Sequence, residues 1–153
     1  MTGEQQVHIG DKLIGRGLPV LVQTMYDSAI PHETDELEEL IRRIGKLNAM
    51  GCDVIRFSYP SAEDHDAFTY LCIVADIHFD YKLALDALNC GAHKIRINPG
   101  NIGAKWKVEE VVKSAKDRGK AIRIGLNSGS LPRGNDPAEL LMSNTALEYL
   151  SWF

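Results

Sequence analysis

The sequence predicts an α/β fold of the (β/α) TIM-barrel type, incomplete with about five βα units, and an N-terminal β-hairpin. Short β-branched runs alternate with amphipathic helical patterns at a repeat of about 20–30 residues, which is typical of parallel βαβ units. No G-x-G-x-x-G or Walker sequence follows an early strand, as a doubly wound nucleotide-binding sheet would require. Polar residues recur at the ends of successive strands, which is where a barrel builds its site.

The first elements are marked by turn and cap signals. Gly10 and Asp11, between two short apolar segments, predict a hairpin, and the β-rich run 20–25 predicts the first strand of the barrel. Asp35 with a glutamate three residues later has the pattern of a capping box at the start of a helix. Gly51 should follow that helix as a residue in the left-handed conformation.

The later elements repeat the order of strand, polar turn, helix and glycine. Asp80 is the expected cap of a helix that Gly91 closes, and Pro137 suits the first position of the last helix. The remaining predicted elements are strand 53–57, a weak helix around 62–71, strand 73–78, helix 83–88, strand 94–98, helix 108–115 and strand 121–127.

The composition is that of one compact domain. The chain has 153 residues, 44% of them hydrophobic, and its formal net charge of -4 argues against nucleic acid or an anionic membrane as a partner. No secretory signal and no apolar run near the ~18 residues of a membrane span is visible, so we expect a cytoplasmic protein. Cys52, Cys72 and Cys90 form no CxxC pair and are expected to be buried thiols, with no metal site in this chain.

Side chains alternate between two faces along a strand, which puts one polar set on the barrel interior. Three of its members, Arg56, Arg96 and Arg123, should converge from separate strands. At a separation of about 8 Å and an effective dielectric near 20, each pair repels by about 2 kcal/mol. Asp76 offers one compensating charge, so we expect a bound polyanion such as a diphosphate, whose oxygens suit guanidinium forks. The rest of the set is Gln23, Met25, Ser58, His78, Lys94, Asn98, Gly125 and Asn127.

Other polar residues near these strand ends are open to two interpretations. His78 could be an ordinary hydrogen-bonded histidine or, with Asp76 two residues earlier, part of a pair that contacts substrate. Asn98 begins the turn signal 98–101 but could also bind a hydroxyl or phosphate group. The segment 128–130, Ser-Gly-Ser, could present backbone N–H groups to phosphate. No catalytic residue is assigned in this chain.

Several runs taken together resemble a known family. The segments 74–81, 94–103 and 122–131 are similar to barrel motifs of the 4-hydroxy-3-methylbut-2-enyl diphosphate synthases. The segments 22–25 and 51–56 are weaker matches. The resemblance spans nearly the whole chain in the family's order.

The resemblance implies an iron-sulfur oxidoreductase that opens 2-C-methyl-D-erythritol 2,4-cyclodiphosphate to 4-hydroxy-3-methylbut-2-enyl diphosphate in isoprenoid precursor biosynthesis. It also implies a [4Fe-4S] cluster bound outside this chain, ferredoxin or flavodoxin as electron donor, and a homodimer of the full-length protein. Residues 1–153 would be the N-terminal portion of the substrate-binding barrel, inactive alone because the C-terminal iron-sulfur domain is absent. The residues matched to diphosphate ligands are Arg56, Arg96 and Arg123, and those matched to polyol contacts are Asp76, His78, Asn98 and Asn127.

The chain also departs from the family's pattern. The segment 60–73 and the stretch after Leu131 are short, and Tyr-Asp-Ser at 26–28 replaces a threonine- and asparagine-rich run. The last barrel strands, their Lys and Glu site residues and the cluster cysteines are absent. Two other functions therefore stay open: a non-catalytic phosphate-binding or assembly module, and another TIM-barrel enzyme acting on a phosphorylated or pterin substrate.

Overall fold

The computed structural model describes residues 6–64 and 74–153. The predicted helix around 62–71 falls outside these ranges except for a 3-10 turn, and so does Cys72. The elements, in chain order, are β1 (Gln6–Ile9), β2 (Lys12–Gly15), β3 (Gln23–Met25), α1 (Thr34–Ala49), β4 (Val54–Ser58), a 3-10 turn (Ala62–Asp64), β5 (Val74–Asp76), α2 (Tyr81–Asn89), β6 (Lys94–Ile97), α3 (Pro99–Ile102), α4 (Lys105–Asp117), β7 (Ala121–Ile124), a second 3-10 turn (Ser128–Ser130) and α5 (Ala138–Leu150).

The strands from β3 to β7 form one parallel sheet in the order β3-β4-β5-β6-β7. Each strand lies beside its neighbour in the sequence, so successive connections progress across the sheet in one direction. A barrel has this order, whereas the order in a doubly wound sheet reverses at a switch point. The described strands do not close the barrel. The predicted α/β fold of the TIM-barrel type, with its N-terminal hairpin, is confirmed.

The hairpin of β1 and β2 lies at the amino ends of the parallel strands. Gly10 and Asp11 form its two-residue turn, as predicted, and the φ of 61° at Gly10 is the left-handed conformation that such a turn favours. Gly10 lies beside the ring of His93, just before β6. Lys12 Nζ lies 3.5 Å from the carboxylate of Asp53, just before β4. The opposite end of the sheet, at the carboxyl ends of the strands, is called the mouth below.

One face of the sheet is apolar and is covered by helices. Alternate residues of β4, Ile55 and Phe57, are buried, and so are Ile95 and Ile97 of β6. Burying side chains of this size contributes about 1.5–3 kcal/mol each. They share one core with residues of α1, α2 and α4, namely Leu40, Ala84, Ala87, Leu88, Val108, Val111 and Ala115. The period-two alternation therefore leaves the other face of the sheet for the polar residues.

Most helix ends follow the predicted signals. Asp80 caps α2 by accepting a hydrogen bond from a first-turn backbone N–H at 2.9 Å, and Gly51 takes a φ of 95° just past α1. The predicted capping box of α1 is wrong, because Glu33 occupies the N-cap and Asp35 lies in the first turn, with no side-chain cap bond at this helix end. Pro137 occupies the N-cap of α5, whereas the first helical position was predicted for it. Within the described ranges, no helix combines the length and apolarity that a bilayer span requires.

Candidate functional site

The register of the sheet brings the predicted polar residues together at the mouth. Ser58 pairs with Asp76, Asp76 with Arg96, and Arg96 with Arg123. Arg56 lies two residues before Ser58 on the same face of β4. Paired residues of adjacent strands point to the same side of a sheet. This row therefore points away from the helix-covered core, toward the side that is the interior of a closed barrel.

Asp76 is the carboxylate at the centre of the row, and only 3% of it is exposed. Its Oδ1 accepts a hydrogen bond from Arg96 Nη1 at 3.2 Å. Its Oδ2 lies 3.5 Å from Arg56 Nε. The side chains of Arg56 and Arg96 are 22% and 18% exposed, so solvent screens their charges only in part. One carboxylate is thus shared by two largely buried guanidinium groups.

Two N–H donors of the Arg56 guanidinium group lack a strong acceptor within the described ranges. Its Nη2 donates to the thioether sulfur of Met25 at 2.9 Å, and a thioether is a weak acceptor. Its Nε is buried and has no hydrogen-bond partner within the described ranges, because Asp76 lies in ion-pair range without hydrogen-bond geometry. A buried donor without an acceptor costs about 1–3 kcal/mol. An anionic oxygen arriving at this position would remove that cost.

Two further cations lie on the same face. Arg123 is exposed next to Arg96 in the register, and Lys94 lies two residues before Arg96 on β6. Burial lowers the pKa of Lys94 from its ordinary value, and the positive charge of Arg123 lowers it further by a smaller amount. Period-two alternation predicted Lys94 on this face, but no binding role was predicted for it.

Asn98 and Asn127 lie just beyond β6 and β7. Asn98 is fully buried; its Oδ1 accepts a hydrogen bond from Gly100 N at 3.1 Å and its Nδ2 donates to Ser130 Oγ at 2.8 Å. Ser130 Oγ in turn donates to the backbone carbonyl of Asn127 at 2.9 Å. The Asn98 amide therefore joins two loops of the mouth, whereas Asn127 is exposed. Substrate contact by either residue stays a prediction.

His78 lies on the rim of the mouth, just after β5. Its ring centroid is 6.2 Å from that of Phe79. It lines a cavity of about 390 Å³ between the loops that follow β3 and β4, together with Met25, Ser58 and Asp64. A cavity of this size suits a small ligand. His78 is thus close to Asp76 in the chain and borders open space, but its catalytic or binding role also stays a prediction.

The cysteines that the structure describes do not form a metal site. Cys52 is partly buried with its thiol 3.4 Å from the carbonyl oxygen of Val54, and Cys90 is buried. Across residues 6–64 and 74–153, no three or more His, Cys, Asp or Glu side chains are grouped so that they could hold a metal ion.

Known proteins are similar to this chain in sequence. Residues 4–147 match the family described as the GcpE TIM-barrel domain. The chain is 47% identical over 131 residues to the 4-hydroxy-3-methylbut-2-en-1-yl diphosphate synthase (flavodoxin) of Symbiobacterium thermophilum, a match that covers 82% of this chain and 34% of that protein. The proteins of the same name from Treponema denticola and Caldicellulosiruptor saccharolyticus are 45% and 44% identical, over 82% and 84% of this chain and 35% and 38% of theirs. The chain thus spans about a third of the length of these curated relatives.

Proposed function

We propose a function for this chain, which belongs to the family of the GcpE TIM-barrel domain. It would supply the diphosphate-binding part of a reductive enzyme of isoprenoid biosynthesis. The complete protein would convert 2-C-methyl-D-erythritol 2,4-cyclodiphosphate to 4-hydroxy-3-methylbut-2-enyl diphosphate. Residues 1–153 would form the N-terminal portion of its substrate-binding barrel. The names of the relatives support the proposal, and the match covers about a third of each relative's length.

The binding role rests on one observation, which is that Arg56 and Arg96 share the Asp76 carboxylate. The polar face of the described strands carries four cationic side chains, and Asp76 is the only carboxylate that these strands place there. Removing two guanidinium groups from water is favourable only where anionic acceptors compensate them. A diphosphate carries several negative oxygens and accepts paired hydrogen bonds from guanidinium forks. It would therefore complete both the charge balance and the hydrogen bonds of this site.

The proposed roles follow from the position of each residue. Arg56, Arg96 and Arg123 would bind the diphosphate, with Lys94 adding positive charge below them. Asp76 would hold two of the guanidinium groups in place, and Asn98 would do the same for the loops after β6 and β7. His78 and Asn127, exposed at the rim, are the candidates to contact the polyol part of the substrate.

The reducing half of the reaction is assigned to other parts of the protein. When bound, a [4Fe-4S] cluster would supply the electrons for the ring opening. Across residues 6–64 and 74–153, neither Cys52 nor Cys90 belongs to a group of three or more potential metal ligands, so the described residues do not fit a cluster. We propose that the cluster lies in a separate C-terminal domain. Flavodoxin, which the relatives' names give, or ferredoxin would be the donor, and the complete protein would be a homodimer in the cytoplasm, where free thiols persist.

Anaerobic calorimetry and turnover on the complete protein test this function together. The cyclodiphosphate should bind at least about tenfold more tightly than the 4-phosphate of the same polyol, because the second phosphoryl group adds charge-assisted hydrogen bonds. With reduced flavodoxin as electron donor, the complete protein should then convert the cyclodiphosphate to 4-hydroxy-3-methylbut-2-enyl diphosphate. Tight binding without product would favour a non-catalytic module. Equal affinity for the two ligands would contradict a diphosphate site.

A further inference from the structure

We propose that Gly125 is a positioning residue: its missing side chain determines where the Arg96 guanidinium lies and so allows Arg96 to contact Asp76 and a diphosphate together. The ligand part of this inference rests on the proposed function. The position of Arg96 does not, because it can be observed without a ligand. Gly125 directly follows β7, in phase with Arg123, but has no side chain with which to bind anything itself.

Backbone conformation does not explain a glycine at this position. Gly125 continues the line of β7, and its N–H donates to the carbonyl oxygen of Ile97 at 2.8 Å. Its φ is outside the left-handed region, unlike that of Gly103 or Gly119. Other residues could therefore adopt the same backbone. Glycine weakens a strand, and in a strand it often marks a place where another group approaches the backbone closely.

Space does explain the glycine. A Cβ added to Gly125 would fall 2.5 Å from Arg96 Cζ and closer still to Arg96 Nε and Nη2. The guanidinium group therefore lies against the Gly125 backbone, in the volume that a side chain would fill. From there its Nη1 reaches Asp76 Oδ1 at 3.2 Å. The Arg96 guanidinium group thus contacts Asp76 on one side and the Gly125 backbone on the other.

The clash involves the far end of a flexible side chain, so alanine at this position should displace Arg96 without unfolding the sheet. The displaced guanidinium group would leave Asp76 and the row of cations at the mouth. Gly45, in the middle of α1, is a matched control, because a Cβ there meets nothing within 4 Å and its φ is not positive. Gly45→Ala should change neither the position of Arg96 nor ligand binding.

A double-mutant cycle in the complete protein tests the inference, with inorganic diphosphate as the probe in calorimetry. Gly125→Ala should weaken binding about tenfold or more, as loss of a charge-assisted contact does. In an Arg96→Ala background, the same glycine substitution should have no further effect, because there is no guanidinium group to displace. Additive effects of the two substitutions would overturn the inference, since Gly125 would then act independently of Arg96.

Crystal structures of the ligand-free parent and of Gly125→Ala supply the second measurement. In the variant, Arg96 Nη1 should no longer lie within hydrogen-bond distance of Asp76 Oδ1, while the strands superpose. An unmoved guanidinium group would overturn the inference even if the proposed function holds. A displaced group in a protein whose parent does not bind diphosphate would support the positioning role and count against the proposed function.

Discussion

The Asp76 carboxylate meets the Arg96 guanidinium across adjacent strands, with Oδ1 3.2 Å from Nη1. The two residues are paired in the register of β5 and β6, so the backbone itself brings them together. Asp76 also compensates Arg56, and neither guanidinium is fully neutralised. The ligand-free site therefore retains positive charge, which a bound anion would neutralise.

Asp76→Asn should destabilise the ligand-free protein by about 1–3 kcal/mol, because it leaves two partly buried guanidinium groups without their carboxylate. Inorganic diphosphate should restore much of this loss, since it supplies the missing negative charge. Urea unfolding with and without diphosphate, at constant ionic strength, measures both effects. The control is Asp117→Asn, which removes an exposed pair with Lys113 and should cost at most about 0.5 kcal/mol. Equal losses in the two variants would contradict the role given to Asp76.

Arg96→Ala should weaken diphosphate binding by about 1.5–3 kcal/mol, or roughly 10- to 150-fold, as loss of a hydrogen bond to a charged group does. Arg123→Ala should have a smaller effect, because its exposed charge is better screened. Arg42→Ala is the control, since Arg42 is 66% exposed and pairs with Glu39 on the surface of α1. Calorimetry at one salt concentration gives the three affinities. If Arg96→Ala and Arg42→Ala bind equally well, Arg96 is not a ligand.

Ser130→Ala should cost about 1–3 kcal/mol of unfolding free energy, because the buried Asn98 Nδ2 loses its acceptor. Urea unfolding measures the change. Ser143→Ala is the matched control, since the Ser143 hydroxyl bonds only to a carbonyl of its own helix at an exposed position and alanine favours helix. A loss for Ser130→Ala no larger than for Ser143→Ala would show that the contact between the two loops adds no stability.

Period-two alternation predicted which face of each strand is polar, because the pleat imposes it whatever the tertiary structure. It therefore placed Arg56, Asp76 and Arg96 on one face correctly. It could not show that the Asn98 amide is engaged by Ser130, because that partner is 32 residues away and is brought close only by the fold. The contact between Gly125 and Arg96 could not be predicted for the same reason, because only the fold brings these two residues together. The predicted cap at Asp35 failed because local sequence patterns place helix ends only to within a few residues.

Lys94→Met should raise the unfolding free energy near neutral pH. Burial and Arg123 lower the pKa of Lys94 in the folded protein below the ordinary value of 10.5, so the unfolded chain binds more protons between the two pKa values. The stability contributed by position 94 in the parent therefore rises with pH through that window. Urea unfolding from neutral pH toward 10.5 should show the gain of the variant shrinking. Lys116→Met, at an exposed position of α4, controls for loss of a surface lysine. A gain that does not change with pH would contradict this explanation.

The most direct measurement of the central claim is a crystal structure of the complete protein with inorganic diphosphate bound. The diphosphate should lie at the mouth of the barrel, with its oxygens within hydrogen-bond distance of the guanidinium groups of Arg56, Arg96 and Arg123, and Asp76 should remain between the first two. Diphosphate bound elsewhere, with these arginines paired only to protein groups, would contradict the claim.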